Sequence, residues 1–237
     1  MYIRFSAVAA GLLSATTLAM PAHAQVAGIA TADTSVAIAR SKALSQAYQQ
    51  IGTQYAATAQ QMQSKRKEIN DINVQLDTNK DKELTQVELD AAIKAKNPLL
   101  TQIDTKQREI NQLQDPIVKA QVFVVESIAM KYEAAQQAVI TAKKINLILA
   151  PDAFVWAPPA VDVTTLITAE LDKSTPTVGI TPPANWRPSR QAAAVYQQIQ
   201  QLFENAARQQ AAQAAQPQPG QPAAPAATTP APQPDSR

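Results

Sequence analysis

Apolar side chains recur at alternating steps of four and three residues along the first part of the chain. The series is Leu44, Tyr48, Ile51, Tyr55, Thr58, Met62, Lys65, Ile69, Ile72 and Leu76, with Thr58 and Lys65 as its polar members. This spacing is a heptad seam, and it predicts a helix with one continuous buried stripe. The helix is expected to run from Val36 to Leu76, with Gly52 as its one interior glycine. Asp33, Thr34 and Ser35 stand just before it as candidate N-caps, since their oxygens can accept from the first unpaired backbone N–H groups. At about 1.5 Å per residue such a rod is roughly 60 Å long. Alone, it would leave its stripe wet, so it needs a partner.

The same periodicity returns from Leu99 with Leu100, Ile103, Ile110, Leu113, Ile117, Ala120, Val124 and Ile128, and the helix should continue to about Lys144. Pro116 lies inside it and predicts a local kink or a shift in the hydrogen-bond ladder. Two rods of similar length, joined by the polar stretch 77–98, predict a long antiparallel coiled-coil hairpin over residues 41–144.

The pattern then changes. The apolar runs Asn146–Ala150 and Ala153–Ala157 flank Pro151-Asp152, which favours a tight turn, so a β-hairpin is expected. Asp162 or Thr164 could cap a closing helix, Thr165–Lys173, with Leu166, Ile167 and Leu171 as its buried stripe. A proline-bearing linker, Ser174–Pro188, carries Trp186. It leads to a helix from Ser189 to about Ala215 with the stripe Val195, Ile199, Leu202, Phe203 and Ala206. Residues 216–237, rich in Pro, Ala and Gln, have little to bury and are expected to be disordered or polyproline-like.

At the other end, Arg4, the apolar stretch Phe5–Met20 and Ala22-His23-Ala24 read as a secretory signal peptide spanning residues 1–24. Its Ala/Ser/Thr-diluted apolar run is a poor membrane anchor, and no later segment is long and apolar enough to span a bilayer. The processed chain is expected to be soluble and exported to the periplasm. Removing the leader removes His23, the one histidine, from a chain that has no cysteine. No imidazole base, thiol nucleophile or Cys/His zinc site then remains, and no disulfide. The five glycines form neither a G-x-G-x-x-G run nor a P-loop. This inventory points away from an enzyme. Lys+Arg 21 against Asp+Glu 19 gives +2, or +1 without Arg4, which is too balanced for a nucleic-acid partner.

One motif carries chemistry. In "DTNKDKELTQVELDAAI" the residues Asp77, Asn79, Asp81, Glu83, Thr85 and Glu88 take places 1, 3, 5, 7, 9 and 12 of an EF-hand calcium loop. Against calcium stands Lys82 at place 6, where the turn favours glycine, and no second copy exists for pairing. Thr85-x-x-Glu88 is also a capping box for a following helix, and Asn97-Pro98 would end that helix before the second rod. Both readings stay open here: a degenerate Ca2+ loop, or a purely structural tip at residues 77–98.

The order of elements resembles the OmpH/Skp family of periplasmic chaperones for outer-membrane proteins. The resemblance rests on "AGIATADTSVAIARSKA", similar to the family's first strand and helix start. It rests also on "INLILAPDAFVWAPPAVDVTTLITAELDK", similar to its closing segment, and covers roughly residues 26–173. It implies a mainly α fold with a small β body, in which residues 25–40 and 145–173 form the trimerisation body. It further implies a jellyfish-like homotrimer whose tentacles surround a cavity, holding unfolded outer-membrane proteins without ATP or another required cofactor. Sharing strands 26–32, 146–150 and 153–157 among subunits would also remove the open edges that so few strands leave. Tyr55, Met62 and Met130 are candidate client contacts, with ordinary helix-packing roles as the competing explanation.

Two features depart from the family. Its typical members are markedly basic, whereas Val36–Ile145 here holds fifteen Lys/Arg against twelve Asp/Glu, only +3. Residues 174–215, a linker plus helix, lie outside the family core. Competing functions are an envelope scaffold, with the coiled coil as a spacer, and a calcium-responsive adaptor.

Overall fold

The computed structural model describes residues 28–215, so the leader and the tail beyond residue 215 lie outside it. The chain runs β1 (Ile29–Thr31), α1 (Thr34–Ala39), α2 (Lys42–Gln54), α3 (Ala56–Leu76), α4 (Gln86–Lys94), α5 (Pro98–Lys143), β2 (Leu147–Leu149), α6 (Thr164–Ser174) and α7 (Arg190–Ala215). Among the described residues no helix is long and apolar enough to cross a membrane.

The first rod is three helices, not one. Asp33 caps α1 by accepting from the Val36 N–H at 2.9 Å. At Ser41 the chain restarts: its hydroxyl donates to the Ile38 carbonyl at 2.8 Å and accepts from the Leu44 N–H at 3.3 Å. The Asp172 carboxylate of α6 accepts from the Lys42 N–H at 2.8 Å. Two side-chain oxygens therefore serve donors that an uninterrupted helix would serve itself. The irregularity at Tyr55 (φ −102°, ψ 17°) is milder. Tyr55 still donates to Ile51 and Ala59 still donates to Tyr55, each at 2.9 Å, so the ladder persists across it.

The second rod is unbroken. Asn97 caps α5, Pro98 occupies its first turn, and the helix continues through Pro116 for 46 residues. The proline removes the bond that its missing N–H would make. The ion pairs Lys65–Glu109 and Glu68–Lys106 link α3 to α5 with numbers rising on one helix and falling on the other, so the two run antiparallel. Every seam position expected on the first rod is buried or half-buried, including both polar members.

The hairpin closes on itself at its root. β1 and β2 pair in parallel, Ile29 with Leu147, Ala30 with Ile148 and Thr31 with Leu149. Thr31 also bridges to Asp162, and the Val163 N–H donates to the Thr31 carbonyl at 2.9 Å. Gly28 opens β1 with φ 79°, a left-handed conformation, and a Cβ there would run into the Asn146 side chain. Around this root lies the main core, in which Ile38, Leu44, Val124, Ile128, Ile167 and Leu171 are fully buried. A separate small cluster, Ile72, Leu76 and Ala92, holds the tip.

Three expectations need correction. The β-hairpin at residues 146–157 does not form within the chain: β2 pairs with β1, and Pro151–Ala153 is a 3-10 turn. Residues 154–157 follow without a strand partner within this chain. In α6 Ile167 and Leu171 are buried, but Leu166 is 40% exposed. In α7 Val195 and Ile199 are buried as expected, whereas Phe203 and Ala206 are exposed. Phe203 nevertheless touches the body edge-on, its ring centroid 6.3 Å from that of Tyr48.

Candidate functional site

The tip loop connects α3 to α4, and all six residues of the EF-hand spacing lie in it. Asp77 is buried, and its two oxygens accept from the backbone N–H groups of Lys80 (2.7 Å) and Lys82 (2.8 Å). Both lysines are left-handed, with φ 62° and 73°. The turn that favours glycine is therefore made by lysines, and Asp77 offsets part of their backbone cost. Asn79 accepts from the Asp81 N–H and Asp81 from the Glu83 N–H, each at 2.9 Å. The Asn79 amide also donates to the other Asp81 oxygen at 2.8 Å.

Glu88 is the hub. One oxygen accepts from the Thr78 N–H (2.7 Å), the Thr78 hydroxyl (2.9 Å) and the Asn79 N–H (3.2 Å). The other accepts from the Thr85 N–H (3.1 Å) and hydroxyl (2.9 Å). The capping box of α4 is complete, since the Glu88 N–H donates to the Thr85 hydroxyl at 3.4 Å. The Thr85 N–H, then the Thr78 and Thr85 hydroxyls, hold the Glu88 carboxyl down to about 2. Among the described residues no group of three or more acidic side chains is placed to share a cation. In this arrangement Glu88 spends its lone pairs on the protein's own donors.

The three candidate client contacts are not brought together. Tyr55 is half-buried at the junction of α2 and α3 and packs on the main core, and Met62 is buried between the rods. Met130 is 69% exposed on α5. Of the three, Met130 is the most open to another molecule.

The root shows two features that the pattern of the chain did not reveal. The first is an apolar surface beside the small sheet. Val155 is fully exposed and Trp156 is 79% exposed, with Leu147 and Leu166 also open. Close by, a cleft of about 170 Å³ is lined by Ile29, Ile145, Val161, Val163 and Leu166. The apolar run 153–157 beside Pro151-Asp152 pointed to a strand, and the exposure of Val155 and Trp156 marks where such a strand lacks its partner.

The second feature is the strap, residues 175–189, with the start of α7. The Trp186 indole packs edge-on against Phe123 at 5.3 Å between ring centroids. Its N–H donates to one Glu126 oxygen at 2.7 Å, and the Ser189 N–H donates to the other at 3.1 Å. A tryptophan in a proline-rich linker was the one available signal, and it gave no hint of Glu126 as the acceptor. Farther along, Tyr196 donates to the Gln121 side chain at 2.9 Å, and Ser35 bonds to Gln198. Tyr48, beneath α7, has its ionisation pushed up, first by burial and then by the neighbouring Tyr196.

Residues 28–171 match the model of a family described as outer membrane protein (OmpH-like). No curated protein matches the chain. Among solved structures, a Caulobacter crescentus CB15 protein described as an OmpH-like outer membrane chaperone, itself by assignment, is 20% identical. The match covers 66% of this chain and 90% of that one, with a TM-score of 0.43.

Proposed function

Because this chain belongs to the OmpH-like outer membrane protein family, we propose that it is an ATP-independent periplasmic holdase for unfolded outer-membrane β-barrel proteins. The observation that carries this reading is the extent of the family match, which takes in the whole hairpin and both ends of the small sheet. The polypeptide works by binding, with no catalytic step. Clients are held by many weak contacts along the hairpins, and Met130 is the exposed member of the proposed contact set. The leader delivers the chain to the periplasm.

Holding a client needs a cavity, and three hairpins around one body supply it. The apolar Val155-Trp156 stretch and the nearby cleft support assembly, since exposed apolar surface beside an open sheet edge is costly in a lone chain. In the proposed trimer residues 153–157 of one subunit reach the sheet of the next.

The test is suppression of aggregation of a urea-denatured β-barrel protein on dilution. Suppression at one trimer per client supports the reading, and aggregation in the presence of intact trimer removes it. A scaffold would instead retain one or two stable partners in a pull-down from envelope extracts, where a holdase retains many barrel proteins.

A calcium-responsive adaptor is the reading favoured by the left-handed backbone at Lys80 and Lys82. It requires Glu88 to release its five donors. Calorimetric titration with millimolar calcium decides it: heat in the wild type that vanishes in Glu88→Gln supports the adaptor, and no heat in either disposes of it.

A further inference from the structure

The family match ends at residue 171, yet α7 lies on the hairpin root that the family region builds. The seat is narrow. Ala192, Val195 and Ile199 are buried along about two turns, while from Gln201 onward the described residues of the helix are exposed or at most half-buried. The strap that delivers it contains Pro176, Pro182, Pro183 and Pro188, four positions without a backbone donor. Val178 and Ile180 rest half-buried on the core. Between Pro176 and Ser189, both hydrogen bonds from the strap to the hairpin end on one carboxylate, Glu126.

We propose that the face of α5, α1 and α2 beneath α7 is a recognition surface for amphipathic apolar polypeptide, and that α7 occupies it in place of a client segment. α7 displays the chemistry the face accepts. Small and branched apolar side chains lie at Ala192, Val195 and Ile199, with amide and hydroxyl groups at Tyr196 and Gln198 reaching Gln121 and Ser35. The contact carries no ion pair among the described residues. A nearly neutral hairpin that grips through apolar and amide contacts fits this face, where a strongly basic one would grip through charge. An unfolded chain presenting the same spacing displaces α7, and the strap keeps α7 near for return. This rests on the holdase reading, but the surface itself can be tested apart from it.

The first experiment is hydrogen exchange on the full wild-type chain, with and without a urea-unfolded β-barrel polypeptide. In the complex, amides of residues 192–200 should lose protection at least tenfold while those of 120–128 keep theirs. A complex with α7 protection unchanged or increased overturns the proposal. The second needs no client. A labelled peptide of residues 190–206, which lacks both donors to Glu126, should bind Glu126→Gln several-fold tighter than wild type, because glutamine offers one acceptor oxygen to the strap's two donors and loosens it. Equal affinity in a folded Glu126→Gln overturns the proposal. If no client binds but the peptide result holds, the holdase reading fails and the recognition surface stands.

Discussion

The tip and the root of the hairpin are built on opposite principles. The root is an apolar core: Ile38, Leu44, Val124, Ile128, Ile167 and Leu171 are packed from four helices, with the small sheet at its edge. The tip has three buried apolar residues and is ordered by a carboxylate, Glu88, that gathers donors from Thr78, Asn79 and Thr85. Burial stabilises in proportion to area and tolerates small shifts, whereas a hydrogen-bond hub depends on one group staying charged and in place. Global stability is therefore expected to reside in the root, and local order at the tip to depend on a single side chain.

The largest effect should come from the root. Ile128→Ala should cost about 2–5 kcal/mol, read as a lower urea midpoint, because the site is fully buried and its neighbours are held by several helices. Gly52→Ala works in the opposite direction. It lies inside α2 with nothing within 4 Å of an added Cβ, so alanine should stabilise by about 0.5–1 kcal/mol in the same assay.

At the tip, Glu88→Gln should leave the global midpoint nearly unchanged. It should abolish hydrogen-exchange protection at the Thr78, Asn79 and Thr85 amides, and a tip that stayed protected would remove the hub. Acid sharpens the same point. The folded Glu88 carboxyl sits at about 2 against an ordinary 4.5, so its contribution is complete above pH 4.5 and disappears as pH falls toward 2. Tip amides should lose protection across that window before the root unfolds. The smallest effect belongs to the half-exposed pair Lys65–Glu109: Lys65→Met should lie within error of wild type, with any difference fading in high salt.

The same contrast explains what could be read from the chain. Heptad spacing located both rods and their seams because burial along a helix follows from period alone. Local chemistry was equally legible at Asp33, at Asn97-Pro98 and at the Thr85–Glu88 capping box, where donor and acceptor are neighbours in sequence. The break at Ser41 was hidden because its second partner, Asp172, is 130 residues away. Residues 153–157 were misread because an apolar run beside a Pro-Asp turn shows strand propensity but cannot supply an edge to pair with. For the same reason, Trp186 and Ser189 did not disclose Glu126. At the tip, spacing named the loop residues correctly, but not that Glu88 would turn toward Thr78 and Asn79.

In the proposed assembly the open sheet edge and the exposed Val155-Trp156 stretch are covered by other copies of the chain. Light scattering on the processed protein, at the concentrations used for client assays, measures this directly. The account predicts a mass of three chains that falls toward one in Trp156→Asp. A wild-type protein that remains a single chain would contradict it.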